Sequence, residues 1–374
     1  MSVDINKTAF DEKTLLKLEF FREYFKEWLP VFIFNNYKKL YVYDFFAGSG
    51  VDMNGVFGSP LVLLNEMAAN NGSYCGQLMA KEKNVTFVFN EVLKDKYEEL
   101  CENTNNYISE CQNRCHRKRC VIEKYCINWD FKDLFEHRRV QSILANPNYA
   151  KFILLDQYGF KLVDESVFRL LVDSPTTDFI FFVSTSFIAR FKSCDCVKTF
   201  LNNNSLDLDN TKPKECHRVL AKYFRTLIPD NKEFYLHHFT IKKKTNYYGL
   251  IYGTSHSYGM EKFLNICWRK DPLSGESDCN VFDDYPVGTL FHEANHTIKI
   301  ETVKNEIEKR ILSGEISNNI DGFKFTLNSG CLPKLFTEVV KKLKKEKLID
   351  RGGNPNYQST QIHKVGVYNI VLKK

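Results

Sequence analysis

Two acids, each closing an apolar run, and a glycine turn beside the first are the residues best suited to hold a ligand. The first acid, Asp44, ends the run Leu-Tyr-Val-Tyr-Asp over residues 40–44, a pattern that predicts a short buried strand. Ala47, Gly48, Ser49 and Gly50 follow as a tight turn, where glycine tolerates positive φ and lets the backbone approach a ligand closely. A strand running into a glycine turn and then a helix is how doubly wound α/β proteins seat a nucleotide. Here the pattern is Asp-x-Phe-Ala-Gly-x-Gly rather than G-x-G-x-x-G, and the sequence has no Gly-Lys-Ser/Thr run, which excludes a P-loop. The second acid, Glu91, closes the run over 85–91 about 40 positions later. An acid at the end of strand two accepts hydrogen bonds from ribose hydroxyls; the alternative is a surface glutamate. The long spacing is assigned to a polar loop inserted over 70–84.

These groups need a sheet and its helices to position them. Residues 11–29 carry Leu15, Leu18, Phe21, Tyr24, Phe25 and Trp28 at helical spacing, which predicts an amphipathic helix on the sheet, ended by Pro30. Ser59-Pro60 reads as the N-cap and first position of the next helix, with lining of the cofactor mouth as the alternative. A helix over 94–107 leads to a strand at 120–126, after which stand Asp130 and Phe131. Residues 151–156 form the strongest strand, followed by Gln157-Tyr158-Gly159, and another strand is expected over 178–186. The runs 233–243 and 247–254, separated by Lys-Thr-Asn, read as a hairpin. Asn146-Pro-Asn-Tyr149 imitates an amino-methyltransferase motif but precedes that strand instead of following it, so Asp156 and Tyr158 are the better reactive-loop residues.

The resemblance carried by these residues can now be stated. Asp44, Phe46, Ala47, Gly48 and Gly50 are similar to the first motif of Rossmann-like S-adenosylmethionine (SAM) methyltransferases, in which the acid and the glycine turn hold the methionine end of the cofactor. The closing hairpin is similar to the end of their seven-stranded sheet, whose last strand inserts antiparallel. By the same resemblance Asp130 and Phe131 hold the adenine, although Asp130 serves equally well as a helix N-cap. Asp156 becomes a hydrogen-bond acceptor or general base and Tyr158 a stacking wall. D44-F-F-A-G-S-G50, G58-S-P-L61, F152-I-L-L-D-Q-Y-G-F160 and Y248-G-L-I-Y-G-T-S-H-S-Y-G-M-E-K-F263 resemble the three-Cys-motif partner family. That resemblance implies a SAM-methyltransferase-like Rossmann domain over 1–297, a winged helix-turn-helix domain over 298–374, and a radical-SAM-like three-cysteine protein as partner. Gln157 departs from the proline that the family carries in the reactive loop. No Pro-Cys pair exists to serve a C5-cytosine mechanism.

Charge separates the tail from the rest. The chain has 374 residues and a net charge of +6; from residue 298 onward there are 15 Lys+Arg against 8 Asp+Glu, leaving 37 against 38 elsewhere. A helix over 332–347, a short strand over 322–327, a Gly-rich loop and a strand over 365–372 compose the winged reading. Lys334, Lys341, Lys342, Lys344 and Lys345 would approach the phosphates of DNA or RNA, with Arg351 on the wing; a solvated lysine face or a protein contact is the alternative. Hydrophobic residues make up 43% and charged residues 26%, as in soluble globular proteins, and no apolar run is long enough for a membrane. Twelve cysteines without a secretory signal point to reduced thiols in a cytoplasm. Cys101, Cys111, Cys115, Cys120 and Cys126 cluster near His116 but lack C-x2-C knuckles, so they read as free thiols and no metal site is expected.

Overall fold

The computed structural model describes residues 9–115, 119–157, 162–184, 212–284, 297–351 and 366–373. Within them a seven-stranded sheet has the order β3-β2-β1-β4-β5-β7-β6. Its strands are β1 (Lys39–Asp44), β2 (Val85–Asn90), β3 (Ile122–Ile127), β4 (Tyr149–Leu155), β5 (Thr177–Val183), β6 (Tyr235–Lys243) and β7 (Asn246–Thr254). The first five are parallel; β7 inserts antiparallel between β5 and β6. A two-residue turn closes the hairpin, Lys243 facing Asn246, with Lys244 at φ 54°. The turn needs this left-handed conformation to match the twist of the strands.

Both sheet faces are covered, which is why its central strands read as continuous apolar runs. One face packs α1 (Glu12–Phe34), α2 (Ser59–Ala80), α3 (Lys94–Arg114) and, after β7, the helix Ser257–Lys270. The other face takes α4 (Phe131–Glu136), α5 (Arg138–Leu144), α6 (Glu165–Asp173) and α7 (Cys216–Thr226). The helix Ser257–Lys270 is α8. Reversal of strand order between β1 and β4 makes the switch point, the crevice at the C-terminal strand ends where doubly wound proteins bind ligands.

Three sequence expectations are corrected by tertiary contacts. Pro30 lies inside α1 rather than ending it. Proline removes the amide that would bond the Lys26 carbonyl; the Tyr74 hydroxyl donates to that carbonyl instead, at 3.4 Å, and Lys83 Nζ donates to the Phe32 and Ile33 carbonyls beyond it. The expected loop over 70–84 is mostly helix: α2 runs to Ala80, and its buried Leu64, Met67, Cys75 and Leu78 carry the apolar stripe through the polar stretch. The expected strand over 322–327 is helical.

That helix is α10 (Asn319–Asn328), between α9 (Ile298–Leu312) and α11 (Lys334–Lys345). Asn318 caps it by accepting from the amides of Ile320 and Asp321 at 2.9 and 3.0 Å. Gly322 lets α11 approach: a Cβ there would lie 2.0 Å from the Phe336 ring. A short hairpin follows, β8 (Ile349–Arg351) with β9 (Ile370–Leu372), and Asn318 bridges to Asn369 at its side. Lys299, at the start of α9, is buried and donates to the carbonyls of Ser274 and Gly330 at 2.7 and 3.2 Å. The Trp268 indole also donates to Gly330, at 3.1 Å. Ile307, Phe323 and Phe336 belong to the same apolar cluster as Phe239 of β6 and Phe263 of α8.

Candidate cofactor crevice at the switch point

Asp44 is the last residue of β1 and has no exposed surface. One oxygen, Oδ1, accepts from the Phe46 amide at 3.1 Å; the other, Oδ2, is buried without a hydrogen-bond donor. Burial pushes this carboxyl up to about 7; the Ser59 hydroxyl pulls it down, the Asp156 charge raises it further, and the Phe46 amide and Lys17 oppose. Ser59 is itself buried in the first turn of α2, and no side chain caps that helix, so its expected capping role is replaced by one beside Asp44.

The glycine turn is held from β2. Ala47 donates its amide to the Asn90 carbonyl at 2.9 Å, and Gly48 donates to Glu91 Oε2 at 3.1 Å. Glu91 Oε1 accepts from the Leu93 amide at 2.8 Å. Gly48 and Gly50 stand at φ 62° and 85°, conformations that cost an L side chain roughly 1–2 kcal/mol. Structure thus brings Glu91 onto the turn, 43 residues from Gly48 in sequence. Its carboxylate thereby ties the turn after β1 to the segment that follows β2.

Asn90 and Asn128, unnoticed in the sequence, fix the rim. Asn90 donates to the Phe45 and Trp129 carbonyls at 3.2 and 3.1 Å and accepts from the Trp129 amide at 3.2 Å. Asn128 donates to the carbonyls of Glu91 and Val92 at 2.7 and 2.9 Å. Asp130 caps α4 through the Lys132 amide at 2.8 Å and is exposed. Phe131 packs against Phe45, Phe46 and Phe135, with 3% of its surface open. It therefore backs the crevice; the exposed aromatic at that rim is Trp129.

Asp156 follows β4 directly and pairs with Lys17 of α1, whose ammonium also lies 4.9 Å from the Phe182 ring centroid. Sequence spacing did not suggest this contact of Lys17. Gln157 is buried; its Oε1 accepts from the amides of Leu162 and Val163 at 2.8 and 3.3 Å. This side chain thereby ties residues 162 and 163 back to the end of β4. Tyr158 lies outside the described residues, as does His116. A cleft of about 580 Å³ lies nearby, lined by Leu15, Leu18, Arg22, Val56, Phe57 and Val62; Asp44, Gly48 and Glu91 are not in its lining.

The strand order, with β7 inserted antiparallel, makes this a Rossmann-like seven-stranded α/β sheet. No protein-family profile matches the chain, and no curated protein matches it. Among solved structures, a Legionella pneumophila protein, LPL1258, is 8% identical, with 63% of this chain and 84% of that one covered and a TM-score of 0.34. TrmK of M. capricolum, in complex with S-adenosylhomocysteine, is 9% identical over 84% of this chain and 96% of its own, with a TM-score of 0.27. The N-terminal domain of human METTL16, also with S-adenosylhomocysteine, is 10% identical over 62% and 68%, with a TM-score of 0.27. Likeness at this level carries no functional argument.

The lysine helix is partly committed elsewhere. Lys334, Lys341, Lys342, Lys344 and Lys345 are exposed on α11 while Leu335, Phe336, Val339, Val340 and Leu343 are buried. Lys342 also pairs with Glu308 of α9 at 2.8 Å, an exposed contact of the kind that contributes little. Lys341 and Lys345, one turn apart, make no ion pair among the described residues. Arg351 ends β8, and its side chain lies outside the described set. Among the described residues no helix is long and apolar enough to cross a membrane, and the clustered cysteines form no group at metal-ligand spacing.

Proposed function

We propose that the chain binds SAM at the β1–β4 switch point and transfers its methyl group to nucleic acid, with residues 1–297 as the cofactor-binding part and residues 298–374 as a winged helix that holds DNA or RNA. The observation that carries this reading is the joining of Glu91 to the Gly48 amide beside a buried Asp44 whose Oδ2 lacks a donor. A carboxylate oxygen without a partner suits a cationic ligand group, and SAM is cationic at its sulfonium and its ammonium. Bound there, SAM would supply an electrophilic methyl. Asp44 and the Gly48–Gly50 turn would hold the methionine end, Glu91 the ribose, and Asp130 with Trp129 and Phe131 the adenine side. Asp156 would accept the hydrogen bond of the incoming amine and take its proton, with Tyr158 as stacking wall. Lys17 would orient Asp156. The order of α9, α10, α11 and the β8–β9 hairpin, with the Asn318–Asn369 bridge between the first two helices, supports the winged reading.

Glu91→Ala tests the ribose contact. Hydrogen bonds to a charged group contribute about 1.5–3 kcal/mol, so SAM binding should weaken about 10- to 150-fold. A change below about threefold would return Glu91 to a purely structural role on the turn.

The raised pKa of Asp44 gives a pH test. Its folded value, about 7, lies above the ordinary 3.8, so its burial costs stability increasingly as pH rises from about 4 to 7. A cationic ligand binds the ionised form, so SAM affinity should rise about tenfold from pH 6 to pH 8, with proton release on binding. Asp44→Asn should flatten that profile; a parent profile without slope contradicts the assignment.

Phosphate contacts are tested by salt. Each contact contributes about −0.9 to the log–log slope on duplex DNA. The variant lacking Lys341, Lys342 and Lys345 should lose about 2 to 3 from the slope and should weaken all sequences alike. Binding identical to the parent on both DNA and RNA would make α11 a protein-docking face.

A second reading is favoured by the Lys17–Asp156 pair and by Gln157. A reactive-loop carboxylate already holding a lysine suits a chain that binds SAM without transferring its methyl, as scaffold or nucleic-acid-binding partner of a radical-SAM-like three-cysteine protein. Co-purification with that protein, and no methyl transfer to DNA, RNA or protein pools, would establish it.

A further inference from the structure

We propose that His217, His238 and Glu276 bind a divalent transition-metal ion of the zinc class, at a site separate from the cofactor crevice. His217 is the second residue of α7, His238 of β6 faces it with ring centroids 4.8 Å apart, and Glu276 lies on the connector after α8. Their exposures are 0%, 6% and 7%. One ligand atom from each lies within 4.8 Å of the other two.

Three features argue for an ion. Both ring nitrogens of His217 and both of His238 lack hydrogen-bond partners among the described residues. An unsatisfied buried polar group costs about 1–3 kcal/mol, and paired imidazoles without partners invite a ligand. His238 Nε2 lies 3.4 Å from Glu276 Oε2, too far and too poorly aligned for a strong hydrogen bond. Donors about 2.0–2.1 Å from a tetrahedral zinc are roughly 3.3–3.4 Å apart, so this pair already has the edge length of such a site. Finally, the Thr240 hydroxyl, two residues along β6 and on the same face as His238, is also buried without a partner. A water on the fourth position of the ion would satisfy it.

Glu276 already holds two cations. Arg218 donates to Oε2 through Nε at 2.9 Å and approaches it through Nη2 at 2.8 Å, while Lys299 Nζ is 2.8 Å from Oε1. A carboxylate offers about four lone pairs, so both contacts leave room for a metal and serve to orient the ligand. Asp271 fixes the connector, its Oδ2 accepting from the amides of Glu276 and Ser277 at 3.1 and 3.2 Å. Two nitrogens and a carboxylate oxygen form a donor set that zinc accepts. The ion would join α7, the edge strand β6 and the connector that receives Lys299, and so secure the seat of the C-terminal helices.

Cobalt(II) titration of the metal-free full chain tests this, because thiolate ligation gives an intense charge-transfer band that nitrogen and oxygen donors lack. The proposal expects one ion per chain with d–d absorption and no thiolate band. Removing groups that merely orient ligands costs 10–100-fold in affinity, so His217→Ala and His238→Ala should each lose at least about 100-fold. Glu276→Gln, which keeps the shape, should also weaken binding. No bound cobalt in the parent, a thiolate band, or parental affinity in folded histidine variants would overturn it. The parent titration decides even where a variant does not fold.

Discussion

Gly48→Val is expected to abolish SAM binding while leaving the sheet folded. Gly48 stands at φ 62°, where a β-branched residue is strained, and its amide donates to Glu91 Oε2 at 3.1 Å. A valine there would move the turn away from Glu91 and fill the approach that a cofactor backbone needs. The strain, roughly 1–2 kcal/mol, is a fraction of the 5–15 kcal/mol that holds an ordinary domain together. Far-ultraviolet circular dichroism should therefore match the parent while equilibrium dialysis finds no bound SAM. Parental affinity in the variant would remove the glycine turn from the site.

Asp156→Ala carries the second large effect. If Asp156 accepts the proton of the target amine, its removal should lower methyl transfer by about 10²–10⁴-fold, with SAM affinity changed by less than about threefold. Binding of nucleic acid should stay parental, since α11 lies elsewhere in the fold. Lys17→Met gives a separable result: losing the ion pair with Asp156 should shift the pH dependence of transfer rather than abolish it. Unchanged transfer in Asp156→Ala would leave the carboxylate a structural partner of Lys17 and favour the non-catalytic reading.

Much of the sheet was legible because its strands are buried on both faces. Leu40, Val42, Phe87, Phe89, Phe152 and Leu154 have no exposed surface, and continuous apolar runs of that length read as strands directly. Asp44 and Glu91 were legible for a related reason: polar residues that end such runs mark where strands leave the core. The misreadings share one cause. Pro30 stays helical because Tyr74 and Lys83 supply donors to α1. The polar stretch after residue 70 is helical because Cys75 and Leu78 are buried, and the segment 322–327 because Phe336 packs on Gly322. Local propensity has no access to such partners.

The site was legible to the same extent. Lys17 reaches Asp156 across 139 positions, and nothing in the spacing of α1 distinguishes it from the other lysines of that helix. Asn90 and Asn128 act through backbone groups, which leave no pattern in side-chain types. The histidine pair is hidden likewise, since His217, His238 and Glu276 come from a helix, a strand and a connector that meet only in the folded chain. The pairing of Lys342 with Glu308 of the neighbouring helix was hidden in the same way.

Isothermal titration of S-adenosylhomocysteine into the full chain at pH 8 tests the central claim most directly. Saturable binding at a single site is predicted, lost in Gly48→Val and about 10- to 150-fold weaker in Glu91→Ala. No binding by the parent, or equal binding by all three proteins, would contradict it.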